Sequence, residues 1–274
     1  MLIGFLGDMH GSAFHALALI YRWMIHYRRR LDYIIQPGDI GILPNPDADK
    51  PPEERFYQWN KTVYDLFYLA KASGKSATTL RQVRETIGST VLFIRGNHDE
   101  QPQFQRYKEA DHGNGVPIDP YGLFTYMPDG AVLTADGKSI LLFGDPSANS
   151  EIEPSNDRID ILVTHQGPYG IGRNTVGEIQ GDSTAIALAK KKCPSIHVFG
   201  HHHHMIGPIT AAGITYIGVN SLFYVYRDGR LPVVQPGSLM ILDTDTMNTE
   251  FVTDKRVIGI PARLGIEKIM DIDA

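Results

Sequence analysis

"LIGFLGDMHGSAFHALALIYRWMIHYRRRLDYIIQPGD", Leu2 to Asp39, decides the fold. Leu2 to Leu6 is a short apolar run, the pattern of a strand buried on both faces. The next stretch, "GDMHG", is polar and bounded by glycines, so it reads as a turn. From Ser12 to Arg30 apolar residues recur at helical spacing, and Ser12 stands where an N-cap belongs. Leu31 to Gln36 is a second apolar strand, ending at Pro37-Gly38-Asp39. Strand, polar loop, helix and strand make a βαβ unit, which implies a parallel pair within an α/β chain.

Outward from this unit, "LPNPDADKPP" (Leu43 to Pro52) is rich in proline and aspartate and reads as loop. Helices are expected at Glu53 to Gly74 and at about Thr78 to Ile87, giving a single domain over residues 1–274 with a helical insertion at about 43–88. The first carries Phe56, Tyr57, Trp59, Tyr64, Phe67 and Tyr68, read first as packing surface. Val91 to Arg95 resumes the sheet. Beyond Gly113 the texture changes to short strands and glycine turns. "AVLTADGKSILLFGD" is a hairpin signal with Asp136-Gly137 at its tip. "IDILVTHQGP" and "SIHVFGHHHH" read as strands ending in polar loops, with "DSTAIALAKKK" a helix between them.

Bulk composition narrows the classes. Over 274 residues the formal charge is -5, and the basic residues are scattered apart from Tyr27 to Arg30, which disfavours a nucleic-acid surface. Cys193 is the only cysteine, so no intrachain disulfide forms and a reducing compartment is expected. No apolar run approaches the roughly 18 residues of a membrane span. The apolar start is too short for a signal peptide, and the expected compartment is the cytoplasm.

Five apolar strands end in small polar clusters: Asp8 and His10, then Asp39, then Asn97, His98 and Asp99, then His165, then His201 to His204. In open α/β sheets ligands bind at the carboxyl ends of strands, so clusters far apart in sequence converge on one site. Aspartate, an asparagine amide and imidazole, without thiolate, suit Mn²⁺, Fe or Zn²⁺. The ligands are too many for one ion, whereas a carboxylate shared between two cations uses them all.

The ordered pattern Asp8-Met9-His10, Gly38-Asp39, Gly96-Asn97-His98-Asp99, His165 and Gly200-His201-His202-His203 resembles that of the calcineurin-like metallophosphoesterases. The resemblance implies two mixed β-sheets packed as a sandwich flanked by α-helices. It implies that Asp8, His10 and His203 hold one metal, that Asn97, His165 and His201 hold a second, and that Asp39 bridges them. His98 would serve as general acid or phosphate contact. The implied reaction is hydrolysis of a small phosphomonoester or phosphodiester, such as a nucleotide, by a hydroxide bridging two divalent ions, with Mn²⁺ preferred over Fe or Zn²⁺.

Where the protein phosphatase branch continues G-D-x-x-D-R-G, this chain has Ile42 in place of the second aspartate, which disfavours that activity. Arg95 either supports the site or packs beneath it, and Asp99 either orients a histidine or caps the next helix. In an extended segment His201 and His203 would face one side and His202 and His204 the other, making His202 a supporting or solvent residue and leaving His204 open. His15, His26, His112 and His197 match no part of the pattern and read as structural or solvated. A nuclease of the same superfamily and a non-catalytic metal-binding scaffold are the competing readings, and the oligomeric state stays open.

Overall fold

The computed structural model describes residues 1–41, 64–99, 101–144, 158–173, 177–223 and 233–271. The opening stretch folds as expected. β1 (Leu2–Leu6) pairs in parallel with β2 (Tyr33–Gln36), and α1 (Ala13–Tyr27) lies between them in the chain. The helix stops at Arg28, which enters the left-handed region at φ 50 and bonds back to Ile25 O. Ser12 holds the N-cap position but makes no side-chain cap bond. Instead the Phe14 N–H is accepted by Asp65 Oδ2 at 3.1 Å, a carboxylate from a distant helix.

That helix is α2 (Asp65–Lys71), followed by α3 (Gly74–Ile87). The single long helix expected over Glu53 to Gly74 is broken at Ala72, and α3 starts ahead of Thr78. Phe56, Tyr57 and Trp59 lie outside the described residues, as does Ile42, while Tyr68 is exposed. β3 (Val91–Phe93), α4 (Gln101–Ala110), β4 (Val116–Pro117) and β5 (Phe124–Tyr126) complete the first half.

The second half contains β6 (Ala131–Ala135), β7 (Lys138–Phe143), β8 (Ile161–Thr164), a short hairpin of β9 (Gly172–Arg173) and β10 (Ile179–Gln180), then α5 (Ser183–Lys192) and β11 (Ile196–Phe199). β12 (Ile206–Ala211), β13 (Ile214–Gly218), β14 (Leu239–Asp243), β15 (Asn248–Phe251) and α6 (Lys255–Ile258) follow. The β6–β7 turn is Asp136-Gly137, both at positive φ as a type I′ turn requires.

Two large mixed sheets result, ordered β15-β14-β1-β2-β3-β5-β4 and β12-β13-β11-β8-β7-β6. The alternation of side chains across each strand sorts them into layers. Ile3 and Phe5 of β1, Ile35 of β2 and Leu92 of β3 meet Ile140, Ile161, Val163, Ile196 and Val198 of the second sheet in a core between the sheets. On its other face the first sheet turns Leu2, Leu6, Ile34 and Phe93 toward α1 and α3. The second sheet turns Leu141, Leu162 and Phe199 toward Leu188 and Ala189 of α5. Each such fully buried side chain contributes roughly 1.5–3 kcal/mol. The expected helix-flanked sandwich is therefore present.

β1, β2 and β3 run parallel to one another, as do β7, β8 and β11, so within each sheet the loops that follow leave from one edge. The histidines outside the pattern are accounted for without the site. His15 and His197 are buried against Pro261 O (3.0 Å) and Thr164 Oγ1 (2.8 Å), His26 pairs with Asp254 at 3.5 Å, and His112 is exposed.

Candidate metal centre

Backbone bonds fasten the loops after β1 and β2 together: the amides of Met9 and His10 both donate to Asp39 O, at 3.1 and 2.9 Å, and Gly11 N donates to Ile40 O at 2.7 Å. Asp99 adds the loop after β3. Its Oδ2 accepts from Asp39 N (3.0 Å) and Gly96 N (2.8 Å), and its Oδ1 from Gly41 N (2.9 Å). Asp99 is thus a clamp that positions Asp39. The second sheet joins through His201 N, which donates to Asp8 Oδ2 at 3.0 Å, and the Asp8 carbonyl accepts from Leu222 N at 2.8 Å.

Four of the pattern residues, His10, Asp39, His201 and His203, have φ between 44 and 66, a region that non-glycine residues enter at a cost on the order of 1 kcal/mol each. Such strain persists where surrounding contacts enforce a geometry. Two glycines show how tight that geometry is: a Cβ on Gly96 would lie 2.1 Å from Asp39 Oδ1, and one on Gly200 would lie 2.3 Å from Asp8 Oδ1.

The side chains converge in two groups. Ligand atoms of Asp8, His10, Asp39 and His203 all lie within 4.8 Å of one another. Here His10 Nε2 faces His203 Nε2 at 3.1 Å, and His203 Nε2 is also 3.1 Å from Asp8 Oδ2. In the second group, Asn97 Oδ1 lies 2.8 Å from His165 Nε2 and 2.9 Å from His201 Nδ1. Asp39 belongs to both, with its Oδ2 at 3.4 Å from His165 Nε2. Its Oδ1 is used by the His98 amide at 2.8 Å, while Oδ2 is buried without a hydrogen-bond partner.

Electrostatics follow from that crowding. Burial opposes the Asp39 anion, but the neighbouring His165 charge outweighs it and holds the carboxyl well below the carboxylate range. Burial likewise disfavours the His165 cation, and Asp39 overrides it to lift the pKa to about 10. Burial pushes His10 down to about 4. His165 Nδ1–H donates to Pro37 O at 2.8 Å, which aims Nε2 at Asn97 and Asp39. Imidazole nitrogens and carboxylate and amide oxygens crowded together, with one buried carboxylate oxygen lacking a hydrogen bond, are a donor set for divalent cations, and the residues fit that group.

The remaining candidates take distinct places. His98 is exposed at the rim, its ring centroid 5.6 Å from that of His10. Arg95 is buried, and it is its backbone that lies against Gly144. The segment 201–204 is not extended, contrary to the alternation argument: it is a succession of bends with His201 and His203 at positive φ. His201 and His203 still reach the site, because those bends and not a strand pleat direct them. His202 is buried and bonds through Nδ1 to Gln180 Oε1 at 3.1 Å, and His204 Nδ1–H donates to His202 O at 2.7 Å, which gives His204 a role in holding the bend. Sequence reasoning missed Gln36, whose buried amide accepts from Gly38 N at 3.0 Å and braces the turn ahead of Asp39. An amide closing an apolar strand was its signal.

The model of the calcineurin-like phosphoesterase family matches residues 1–205 and spans every one of these positions. The chain belongs to that family. It is accordingly a hydrolase of phosphoesters, and its Asp and His cluster suits divalent metal ions. No curated protein matches the chain. One solved structure aligns over 92% of this chain and 98% of its own, with TM-score 0.53 at 12% identity, a likeness of fold alone. Looser likenesses, both at 12% identity over 92% of this chain, are to TT1561 of Thermus thermophilus (98% of that chain, TM-score 0.47) and to Yfce, a phosphoesterase from E. coli (99%, TM-score 0.43). No helix among the described residues is long and apolar enough to cross a membrane.

Proposed function

We propose that the chain hydrolyses a small phosphomonoester or phosphodiester, such as a nucleotide, at a centre of two divalent cations, Mn²⁺ ahead of Fe or Zn²⁺. The observation that carries the reading is Asp39: a buried carboxylate common to both groups, one oxygen fixed by the His98 amide and the other left without a hydrogen bond between them. Asp8, His10 and His203 would hold one ion, and Asn97, His165 and His201 the other. Two such ions supply a water of lowered pKa and offset charge on the phosphoryl oxygens.

The chain's own groups do the rest. Pro37 O keeps His165 in the tautomer that presents Nε2 inward. Asp99 fixes the Asp39 backbone, and the Asp39 carboxylate in turn fixes the backbone amide of His98. His98 thereby stands at the rim, where its exposed imidazole meets an entering ester and donates a proton to the leaving oxygen.

Hydrolysis of p-nitrophenyl phosphate and bis-p-nitrophenyl phosphate by Mn²⁺-loaded protein tests the reading, and the preferred ester separates monoesterase from diesterase. His98→Ala is expected to retain its metal and lose about 10²–10⁴ in kcat, the range of a general acid. Loaded wild type that cleaves neither ester nor any nucleotide contradicts the proposal.

A further inference from the structure

Between the two histidines of the last motif stands His202, a side chain that the reaction does not use and that is nonetheless buried, at 9% exposed. Its ring packs on Phe199 with centroids 5.5 Å apart. Its Nδ1–H is given to Gln180 Oε1 at 3.1 Å, and Gln180 sits on β10, opposite Gly172 of β9. A glycine makes room for the ring: a Cβ on Gly167 would lie 2.5 Å from its Nε2.

The segment so engaged begins directly after His165. Gly167 O accepts from Asp182 N at 2.8 Å, Tyr169 N donates to Asp182 O at 3.0 Å and Gly170 N to Gln180 O at 3.2 Å, so 167–173 and 179–182 form one closed unit. Asp182 then caps α5 through Ala185 N at 2.8 Å, which roots the unit in the packed layer of the second sheet. The turn of His201 and His203 has no strand or helix hydrogen bonding of its own, and its backbone is held by His202 N to Gly200 O at 2.8 Å and, at one end, by His201 N to Asp8 Oδ2 at 3.0 Å. A side chain that ties its middle residue to a rooted neighbour fixes where its two ends point.

We propose that His202 is a positioning residue, and that its hydrogen bond to Gln180 couples the unit of 167–173 and 179–182 to His201 and His203. The proposal rests on the two-cation reading above. Breaking the bond releases the turn toward unstrained φ, and groups that orient metal ligands in this way govern affinity by about 10–100-fold.

The test is Mn²⁺ binding by calorimetry alongside thermal unfolding of metal-free protein, for wild type, His202→Phe, Gln180→Leu, the double variant and Gln180→Glu. His202→Phe keeps a ring without the N–H, Gln180→Leu removes the acceptor from the other side, and Gln180→Glu retains an acceptor oxygen. The expected result is a Kd for Mn²⁺ raised about tenfold or more in both single variants, no further loss in the double variant, and affinity within about threefold of wild type for Gln180→Glu. Variants that unfold at lower temperature yet bind Mn²⁺ as wild type does give His202 a packing role only and overturn the proposal. Wild type that binds no Mn²⁺ overturns the two-cation reading itself, and this proposal with it.

Discussion

Around His10 and His203 the centre places two carboxylates, Asp8 and Asp39, with ligand atoms within 4.8 Å of one another. Around His165 and His201 the oxygen that both ring nitrogens meet is the neutral amide of Asn97, and the carboxylate beside His165 Nε2 is that of Asp39, at 3.4 Å. Charge at close range in a buried site decides cation affinity, so the two halves differ in strength. The first half is expected to bind the tighter ion, and the second to lean on Asp39. Their supports differ too. The first half is built mainly on loops of the first sheet that Asp99 clamps through three backbone amides, while His165 and His201 come from the second sheet.

The largest effect is expected from Asp39→Asn, which removes the anion both halves share: both ions are lost and kcat/KM falls by about 10³ or more, read by metal analysis and ester hydrolysis. Equal metal content in variant and wild type would break the comparison at its root. Next, Asp8→Asn and His201→Ala separate the halves. Asp8→Asn is expected to weaken the tighter Mn²⁺ site by at least tenfold, and His201→Ala to remove the weaker ion alone, which calorimetric titration resolves.

Asp99→Ala leaves three amides without their acceptor and is expected to destabilise the fold by about 3 kcal/mol in denaturant titrations, with metal loss at the first half. The smallest effect concerns Asp65, whose carboxyl burial raises to about 8 against the bond from Phe14 N. The folded state then keeps a proton that the unfolded chain releases between about pH 4 and pH 8, so stability falls as pH rises through that window. Asp65→Asn, which keeps an acceptor oxygen for Phe14, is expected to flatten that slope. It should match wild type near pH 4 and be the more stable of the two at pH 8.

Much of the first sheet was legible because β1, α1 and β2 are consecutive and their periodicities are local. The convergence of Asp8, Asp39, Asn97, His165 and His201 was legible for a related reason: strand-end placement turns sequence order into spatial proximity. What escaped was set by contacts remote in sequence. Ser12 read as a cap, yet Asp65 does the capping across 51 positions. The alternation assigned to residues 201–204 presumed extended backbone, whereas His201 and His203 take positive φ and His201 N bonds to Asp8, a contact remote in sequence that no local pattern records. His204 stayed open in the sequence because its partner is a backbone carbonyl, that of His202.

The most direct test of the two-cation centre is elemental analysis of protein equilibrated with Mn²⁺ and freed of excess. Two equivalents of Mn²⁺ in wild type, falling to one in His201→Ala, are the predicted result. A single equivalent in both would contradict it.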